Sequence, residues 1–309
     1  MQFIDLGEQY RRYKDEIHEE MGKVLETTSF IKGPALKEFE EQLAEHIGVS
    51  HAIGCSSGTD ALVLGMMAYD IKPGDEVIVP DFTFIATAEM VSFVGAKPVF
   101  VDVREDTYNI DPGKIEAAIS DRTVGIIPVS LYGQCADMDE INAIAGRHDL
   151  WVMEDAAQSY GAGYKGRSSC ALSEIAATSF FPAKPLGAYG DGGALFTDND
   201  ELADKVRMLL NHGQRKRYDH AIVGINARLD TLQAAILKVK LRHFDREMDD
   251  KRQVAQWYTE ALDGIVPTPT VLEHNKSVWA QYTIRVAERE RVRAELKDRG
   301  IPTAVHYPI

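Results

Sequence analysis

The sequence predicts an α/β fold, in which a mainly parallel, doubly wound sheet of seven strands carries helices on both faces and a smaller C-terminal α+β unit follows. Between residues 34 and 212, short apolar runs alternate with helical patterns, which is the order of βα units in a parallel sheet. Several runs are continuous in Val and Ile rather than alternating with polar residues. Such runs are expected for strands that are covered on both faces.

Seven runs have the length and composition of strands, and helices are predicted between them. The clearest helix covers residues 34–47, where Leu36, Phe39, Leu43 and Ile47 fall on one face and Pro34 stands in the first turn. A second helix is predicted over residues 61–69. The predicted strands are 51–55, 76–79, 98–103, 124–129, 150–153, 176–181 and 193–197.

The C-terminal part has a different organisation. A long amphipathic helix is predicted from residue 229 towards residue 257, and the prolines within 264–270 end it. Residues 279–286 then favour a strand and residues 288–299 a helix. We therefore expect a large domain over residues 1–242 and a small one over residues 243–309.

The composition excludes several classes of protein. The chain has 309 residues, 45% of them hydrophobic, and a net charge of -14, which argues against binding to a nucleic-acid backbone. The N-terminus shows no signal peptide, and no apolar run is long enough to cross a bilayer. The three cysteines show neither metal-ligand spacing nor a disulfide pattern, and they suit the reducing cytoplasm.

Lys184 is the first candidate for chemistry. It lies in the run Ser179-Phe180-Phe181-Pro182-Ala183-Lys184-Pro185-Leu186-Gly187, which offers few polar neighbours. Desolvation lowers the proton affinity of a lysine, and a neutral amine can form a Schiff base with an aldehyde such as pyridoxal phosphate (PLP). The alternative is an ordinary lysine whose charged end reaches water from an apolar loop.

Three further motifs follow strands, where ligands gather in α/β sheets. Asp155 could keep a pyridine nitrogen protonated, and Gln158 could contact a ring hydroxyl; alternatively, Asp155 only caps a helix or loop. The segment Ser57-Gly58-Thr59 begins a helix and could cradle a phosphate, although many helices begin with such residues for stability alone. Phe84 could stack on a planar cofactor or could be part of the core.

Two more segments could contact a substrate. Asn226 and Arg228 precede the long helix, and a guanidinium suits a carboxylate or phosphate; a surface ion pair is the alternative. His306 and Tyr307 lie near the C-terminus, where a frayed end would be the simplest interpretation.

Together these segments resemble the nucleotide-sugar aminotransferases, the DegT-type branch of the fold-type I PLP enzymes (aspartate aminotransferase-like). The resemblance extends over essentially the whole chain, in the family's order. Its motifs are Ser57-Gly58-Thr59-Asp60-Ala61-Leu62, Gly74-Asp75-Glu76-Val77-Ile78, Glu154-Asp155-Ala156-Ala157-Gln158, Ser179-Phe180-Phe181-Pro182, Lys184, Gly190-Asp191-Gly192-Gly193-Ala194, Asn226 with Arg228, and His306-Tyr307-Pro308.

The resemblance implies a role for each candidate residue. Lys184 would bind the cofactor as a Schiff base and then carry protons, and Asp155 would pair with the pyridinium. Relatives that remove a hydroxyl have a histidine at the lysine position, so Lys184 favours amino transfer. The other implied cofactor contacts are Gln158 with the ring hydroxyl, Phe84 with the ring face, and Ser57, Gly58, Thr59 and Ser179 with the phosphate.

The resemblance also implies a homodimer with shared sites. Asn226 would reach the partner's cofactor phosphate, and Arg228, His306 and Tyr307 would meet the partner's sugar nucleotide. The implied reaction takes an amino group from glutamate, through pyridoxamine phosphate, to the C3 ketone of a UDP-linked 2-acetamido-2-deoxy-3-oxo-hexuronic acid. Such a product would serve bacterial surface-polysaccharide (O-antigen, lipopolysaccharide) synthesis.

Two alternatives stay open. An aminotransferase acting at C4 of a UDP- or dTDP-sugar would share every cofactor residue, and a catalytically impaired PLP-binding or regulatory relative is the other possibility. Family members continue beyond the His306-Tyr307-Pro308 segment, whereas this sequence ends at Ile309. We therefore expect weak packing around residues 279–309, and strong protection from hydrogen exchange there would contradict this expectation.

Overall fold

The computed structural model describes residues 2–308. Its α-helices are α1 Leu6–Thr27, α2 Pro34–Ile47, α3 Gly58–Ala68, α4 Ala86–Phe93, α5 Pro112–Ile115, α6 Met138–Arg147, α7 Asp200–Leu209, α8 Thr231–Leu262 and α9 Arg289–Asp298. None of these helices is long and apolar enough to cross a membrane.

The strands form one large sheet and two small ones. They are β1 His51–Cys55, β2 Glu76–Pro80, β3 Lys97–Val101, β4 Thr123–Ile126, β5 Trp151–Asp155, β6 Gly163–Tyr164, β7 Arg167–Ser168, β8 Ile175–Ser179, β9 Gly193–Thr197, β10 Gln214–Lys216, β11 Asp219–His220 and β12 Asn275–Lys276. The large sheet has the order β1-β9-β8-β5-β4-β2-β3, and the small sheets are β10-β11 and β12-β6-β7.

The seven-stranded sheet is parallel except for one strand. Strand β9 runs antiparallel to both β1 and β8, and the remaining pairs are parallel. The chain therefore leaves β1, β2, β4, β5 and β8 at the same edge of the sheet, and β9 starts there. We call this edge the carboxyl edge; it is where an open α/β sheet binds ligands.

Helices cover both faces of this sheet. On one face, Phe39 of α2 and Phe244 of α8 join a core with Phe180 and Phe196; on the other, helix α3 packs with α4 and α7 around residues such as Leu64 and Met153. Strands β2, β5 and β9 between them are almost wholly buried, whereas the edge strand β3 is only partly buried. This arrangement confirms the α/β fold, with all seven predicted strands present to within a few residues.

Local sequence explains the helix that was predicted best. Helix α2 has the predicted bounds, because Pro34 stands in its first turn, where no backbone N–H is needed. It ends at Gly48, whose φ of 85° lies in the left-handed region. Helix α3, in contrast, begins at Gly58, three residues before the predicted helix at residues 61–69.

The C-terminal part differs from the prediction. The strand predicted over residues 279–286 is wrong: no strand is formed there, because no neighbouring strand pairs with this stretch among residues 2–308. Helix α9 confirms the helix predicted over residues 288–299. Helix α8 runs through residue 242 without a break, and the division into domains at that point stays a prediction.

Candidate active site

The carboxyl edge brings together the residues singled out at four strand ends. Ser57 follows β1, Phe84 follows β2, Asp155 ends β5, and Ser179 ends β8, with Lys184 a few residues later. The parallel order of the sheet places these ends side by side although they are far apart in sequence. We call this group the Lys184 site.

The loop that carries Lys184 is closed on itself. The backbone N–H of Lys184 donates to the carbonyl of Phe181 at 2.8 Å, and the N–H of Ala188 donates to the carbonyl of Phe180 at 2.7 Å. Burial lowers the pKa of the Lys184 amine, and the negative charge of Asp155 acts against that shift. Within residues 2–308 the Lys184 amine makes no hydrogen bond or ion pair, so it is a desolvated amine held near a carboxylate.

Asp155 is buried, with 5% of its surface exposed, and its carboxylate is held in a fixed orientation. Thr87 Oγ1 donates to Oδ2 at 2.8 Å, and the backbone N–H of Ala157 donates to Oδ1 at 3.1 Å. Burial raises the pKa of Asp155, whereas these hydrogen bonds and the charge of Lys184 act to lower it. Sequence reasoning missed Thr87, which stands in the first turn of the helix after β2; that position was the available signal.

Gln158 is oriented from two sides. Its Oε1 accepts from the backbone N–H of Tyr132 at 2.8 Å, and its Nε2 donates to the hydroxyl of Tyr307 at 3.0 Å. Tyr132 has a φ of 57°, in the left-handed region that non-glycine residues seldom adopt. Tyr132 was also missed, because nothing in its local sequence indicates that its backbone meets Gln158.

The Ser57-Gly58-Thr59 segment forms a tight backbone turn at the start of α3. Ser57 caps the helix, with its hydroxyl accepting from the N–H of Asp60 at 3.0 Å. A Cβ on Gly58 would lie 2.6 Å from the Cβ of Ser179, and one on Gly193 would lie 2.5 Å from the Ser57 carbonyl. A helix start with free N–H groups and a close approach to Ser179 fits a phosphate group.

Phe84 keeps its ring open at the site. Its side chain is 55% exposed, so it is not part of the core. Its ring centroid lies 6.4 Å from that of Tyr307, and Phe82 lies 5.8 Å from Tyr307. An exposed aromatic face beside Tyr307 and near the Lys184 site could stack on a planar ring.

Asn226 and Arg228 lie beside the carboxyl end of β1, an outermost strand of the large sheet. The backbone of Arg228 forms an isolated bridge with Cys55. Its Nη1 donates to Asn211 Oδ1 at 2.7 Å, while its buried Nε has no hydrogen-bond partner among residues 2–308. Asn226 is exposed. The structure of one chain does not test their implied contacts with a partner, which stay predictions.

His306 and Tyr307 lie at the site of their own chain. The Tyr132 hydroxyl donates to the carbonyl of His306, and Tyr307 meets Gln158. Burial lowers the pKa of His306, and the nearby charge of Lys184 lowers it further. The returning C-terminal segment brings both residues to the carboxyl edge of their own chain. One chain does not test the contacts with a partner's substrate that the resemblance implies, and these stay predictions.

These features define a class of protein. A desolvated lysine, an oriented buried carboxylate and a phosphate cradle at the carboxyl edge of a mainly parallel sheet are the requirements of a PLP enzyme of the aspartate aminotransferase-like fold. The chain belongs to the DegT/DnrJ/EryC1/StrS aminotransferase family, whose model matches residues 11–309.

Known proteins agree with this assignment over nearly the full chain. The UDP-2-acetamido-2-deoxy-3-oxo-D-glucuronate aminotransferase of Pseudomonas aeruginosa is 54% identical, over 100% of this chain and 86% of that protein. A family aminotransferase from Brucella abortus has 46% identity and a TM-score of 0.97, covering 99% of this chain and 84% of its own. The ntda protein of Bacillus subtilis, with bound cofactor PMP, has 35% identity and a TM-score of 0.90, covering 96% and 70%.

The chain is therefore a PLP-dependent sugar aminotransferase. The residues present fit this cofactor, since the absence of a side chain on Gly58 lets the start of α3 approach the Ser179 hydroxyl, and helix N–H groups and a hydroxyl meet there as a phosphate requires.

Proposed function

We propose that the protein transfers an amino group from glutamate to the C3 ketone of a UDP-linked 2-acetamido-2-deoxy-3-oxo-hexuronic acid, for bacterial surface-polysaccharide synthesis. The P. aeruginosa relative, which carries this substrate in its name, supports the proposal through 54% identity over the whole chain. The observation that carries the chemistry is the desolvated Lys184 amine beside the oriented Asp155 carboxylate.

The cofactor would be held by residues that follow four strands. Bound PLP supplies an aldehyde that exchanges amines and a pyridine ring that withdraws electrons. Ser57, Gly58, Thr59 and Ser179 would hold its phosphate, because free N–H groups and hydroxyls meet there. Phe84 would cover one ring face, and Gln158 Nε2 would donate to the ring hydroxyl.

Lys184 and Asp155 would divide the proton chemistry. The lowered pKa of Lys184 leaves a larger fraction of its amine neutral near pH 7, so Nζ can accept a proton from a substrate carbon and return it. The Asp155 carboxylate, fixed by Thr87 and the Ala157 N–H, would accept a hydrogen bond from the pyridine nitrogen and keep that nitrogen protonated.

Arg228, His306 and Tyr307 would recognise the sugar. Arg228 offers a buried Nε that has no hydrogen-bond partner in the described chain, which suits a carboxylate or phosphate oxygen. Because its pKa is lowered, His306 would contribute as a neutral hydrogen-bonding group at neutral pH. Tyr307 reaches the site through Gln158.

The proposal includes a homodimer with shared sites, to which Asn226 and Arg228 would contribute from the partner. Their place beside an outer strand, with Asn226 exposed, supports it. It also includes a cytoplasmic location, which suits the buried and unpaired Cys55, Cys135 and Cys170.

A panel of keto sugars tests the substrate. We expect the UDP-3-oxo-hexuronate to exceed the matching 3-oxo-hexose, which lacks only the carboxylate, by about 10-fold to 100-fold in kcat/KM. Matched UDP- and dTDP-4-oxo sugars serve as controls. Equal use of sugars with and without the carboxylate, or a preference for a 4-oxo sugar, would refute the proposed substrate while leaving amino transfer in place.

Mixing two inactive variants tests the shared site. If Arg228 serves the partner's site, a dimer of one Lys184→Ala chain and one Arg228→Ala chain has both defects in one of its two sites, and the other site is intact. Mixed dimers would then hold one intact site and recover about a quarter of wild-type activity at equal mixing. No recovery, in dimers shown by mass to be mixed, would place Arg228 at the site of its own chain.

A further inference from the structure

The loop that carries Lys184 has little freedom of its own. A Cβ on Gly187 would lie 2.3 Å from the carbonyl oxygen of Pro182. The backbone after Lys184 therefore packs directly against the backbone before it. The hydrogen bonds at Lys184 and Ala188 close it. We call residues 180–190 the lysine loop.

Helix α8 holds the lysine loop through two side chains. Gln233 Oε1 accepts from the N–H of Tyr189 at 2.9 Å, and Gln233 Nε2 donates to the carbonyl of the same residue at 3.4 Å. Lys240 Nζ donates to the carbonyl of Gly187. Gln233 and Lys240 are seven residues apart, two helical turns, and so they present the same face of α8.

Lys240 is an unusual residue to find at this place. Only 3% of its surface is exposed, its Nζ lies 5.3 Å from the centre of the Tyr189 ring, and burial lowers its pKa to about 8. Burying a lysine costs free energy unless its donors are used. Across residues 2–308, the donors of Lys240 serve one backbone carbonyl, that of Gly187, and the face of Tyr189, both in the lysine loop.

We propose that Gln233 and Lys240 are positioning residues that fix the lysine loop, and with it the Lys184 amine, against helix α8. Neither side chain is among the residues assigned to the cofactor or the substrate. The inference rests on the proposed role of Lys184, since it explains how the amine is held in place. A lysine with four rotatable bonds needs a fixed backbone if its amine is to meet one carbon atom of a bound substrate.

The test uses Lys240→Met and Gln233→Leu, with Lys240→Arg as the conservative variant. Lys238→Met is the matched control, because Lys238 is buried on the same helix but pairs with Glu20 and Glu38. Hydrogen exchange of peptides spanning residues 180–190 is measured in protein with and without PLP. We expect about 10-fold faster exchange in Lys240→Met and Gln233→Leu, recovery in Lys240→Arg, and no change in Lys238→Met.

The absorption of the bound cofactor and the steady-state kinetics give a second measurement. The pH titration of the visible absorption of the PLP-lysine link should shift in Lys240→Met and Gln233→Leu, and kcat should fall about 10-fold with little change in KM. Lys238→Met should lower thermal stability and move neither quantity.

Exchange at the wild-type rate in both Lys240→Met and Gln233→Leu would overturn the inference, as would equal effects in Lys238→Met. Failure of wild-type protein to form any link with PLP would instead refute the role of Lys184, and the exchange measured without PLP would still decide the role of the two α8 residues.

Discussion

The carboxyl edge and the C-terminal segment at residues 277–308 meet at the Lys184 site, but they are built in different ways. Strands β5, β8 and β9 are buried almost throughout, and helices cover both of their faces. In the C-terminal segment only Ser277 and Val278 are buried, and helix α9 buries no residue. The amine and its carboxylate therefore stand on a rigid frame, whereas His306 and Tyr307 do not.

The C-terminal segment is attached through few contacts, and several of them reach one turn. The N–H of Val278 bonds to the carbonyl of Gly133 at 3.0 Å, and the Tyr132 hydroxyl bonds to the carbonyl of His306. A Cβ on Gly133 would lie 2.7 Å from the N of Trp279, so a side chain there would push the segment away. With the roles proposed above, the chemistry and the selection of the sugar would depend on regions of different stability.

The largest expected effect is a loss of turnover from a substitution at the rigid carboxyl edge. Lys184→Ala should lower turnover by about 10³-fold or more, because the group that would carry the proton is removed. Its melting temperature should stay near that of the wild type, since the side chain makes no hydrogen bond with the residues that the structure describes. Added methylamine should restore part of the activity; turnover within a few-fold of the wild type would contradict the assignment.

The second largest loss is expected for Asp155→Asn, whose kcat should fall by about 10²-fold. The amide keeps the shape but not the negative charge that would hold a proton on the pyridine nitrogen. Glu154→Gln is the matched control, because this buried neighbour on β5 bonds to Ser130, Ser169 and the N–H of Cys170. Its kcat should stay near the wild-type value, and equal losses in the two variants would show a structural effect of buried acids.

A smaller effect is expected in the C-terminal segment. Tyr307→Phe loses the hydrogen bond from Gln158, worth about 0.5–1.5 kcal/mol, so kcat/KM for the keto sugar should fall by up to about 10-fold. Tyr282→Phe is the matched control in the same segment: it removes the hydrogen bond between Tyr282 and Thr259 of α8 and should leave kcat/KM unchanged. A loss as large as that of Lys184→Ala would place Tyr307 in the amine chemistry itself.

The smallest effect concerns stability at the outer edge of the sheet. Glu40 accepts from the N–H of Gly54 at 2.7 Å, and burial raises the pKa of Glu40 to about 7. The folded state then holds this proton up to a higher pH than the unfolded state, whose carboxyl titrates near pH 4.5. The contribution of Glu40 to stability is therefore lost as pH rises from about 4.5 to 7.

Glu40→Gln cannot ionise, and its Oε1 can still accept from Gly54. We expect its melting temperature to exceed that of the wild type by about 2 °C or more at pH 8, and the difference to vanish at pH 4. Turnover at pH 7 should not change. A difference of the same size at both pH values would show that ionisation of Glu40 is not its cause.

Sequence patterns predicted the rigid region well and the C-terminal segment only in part, since helix α9 was predicted and the strand at residues 279–286 was wrong. Helix α2 is specified by its own period, Pro34 and Gly48, and buried strands are specified by continuous apolar runs. The strand expected at residues 279–286 needed a partner strand, which no local pattern reveals. Thr87 and Tyr132 were missed for a related reason: each meets a residue of the β5 end that is 68 or 26 positions away in sequence.

The most direct test of the account is to find which lysine carries the cofactor. Two lysines near the lysine loop have pKa values lowered by burial, Lys184 and Lys240. Wild-type protein would be loaded with PLP, reduced with borohydride, digested and mapped by mass spectrometry. We expect the cofactor mass on Lys184 and none on Lys240; a label on Lys240, or no label on either lysine, would contradict the role proposed for Lys184.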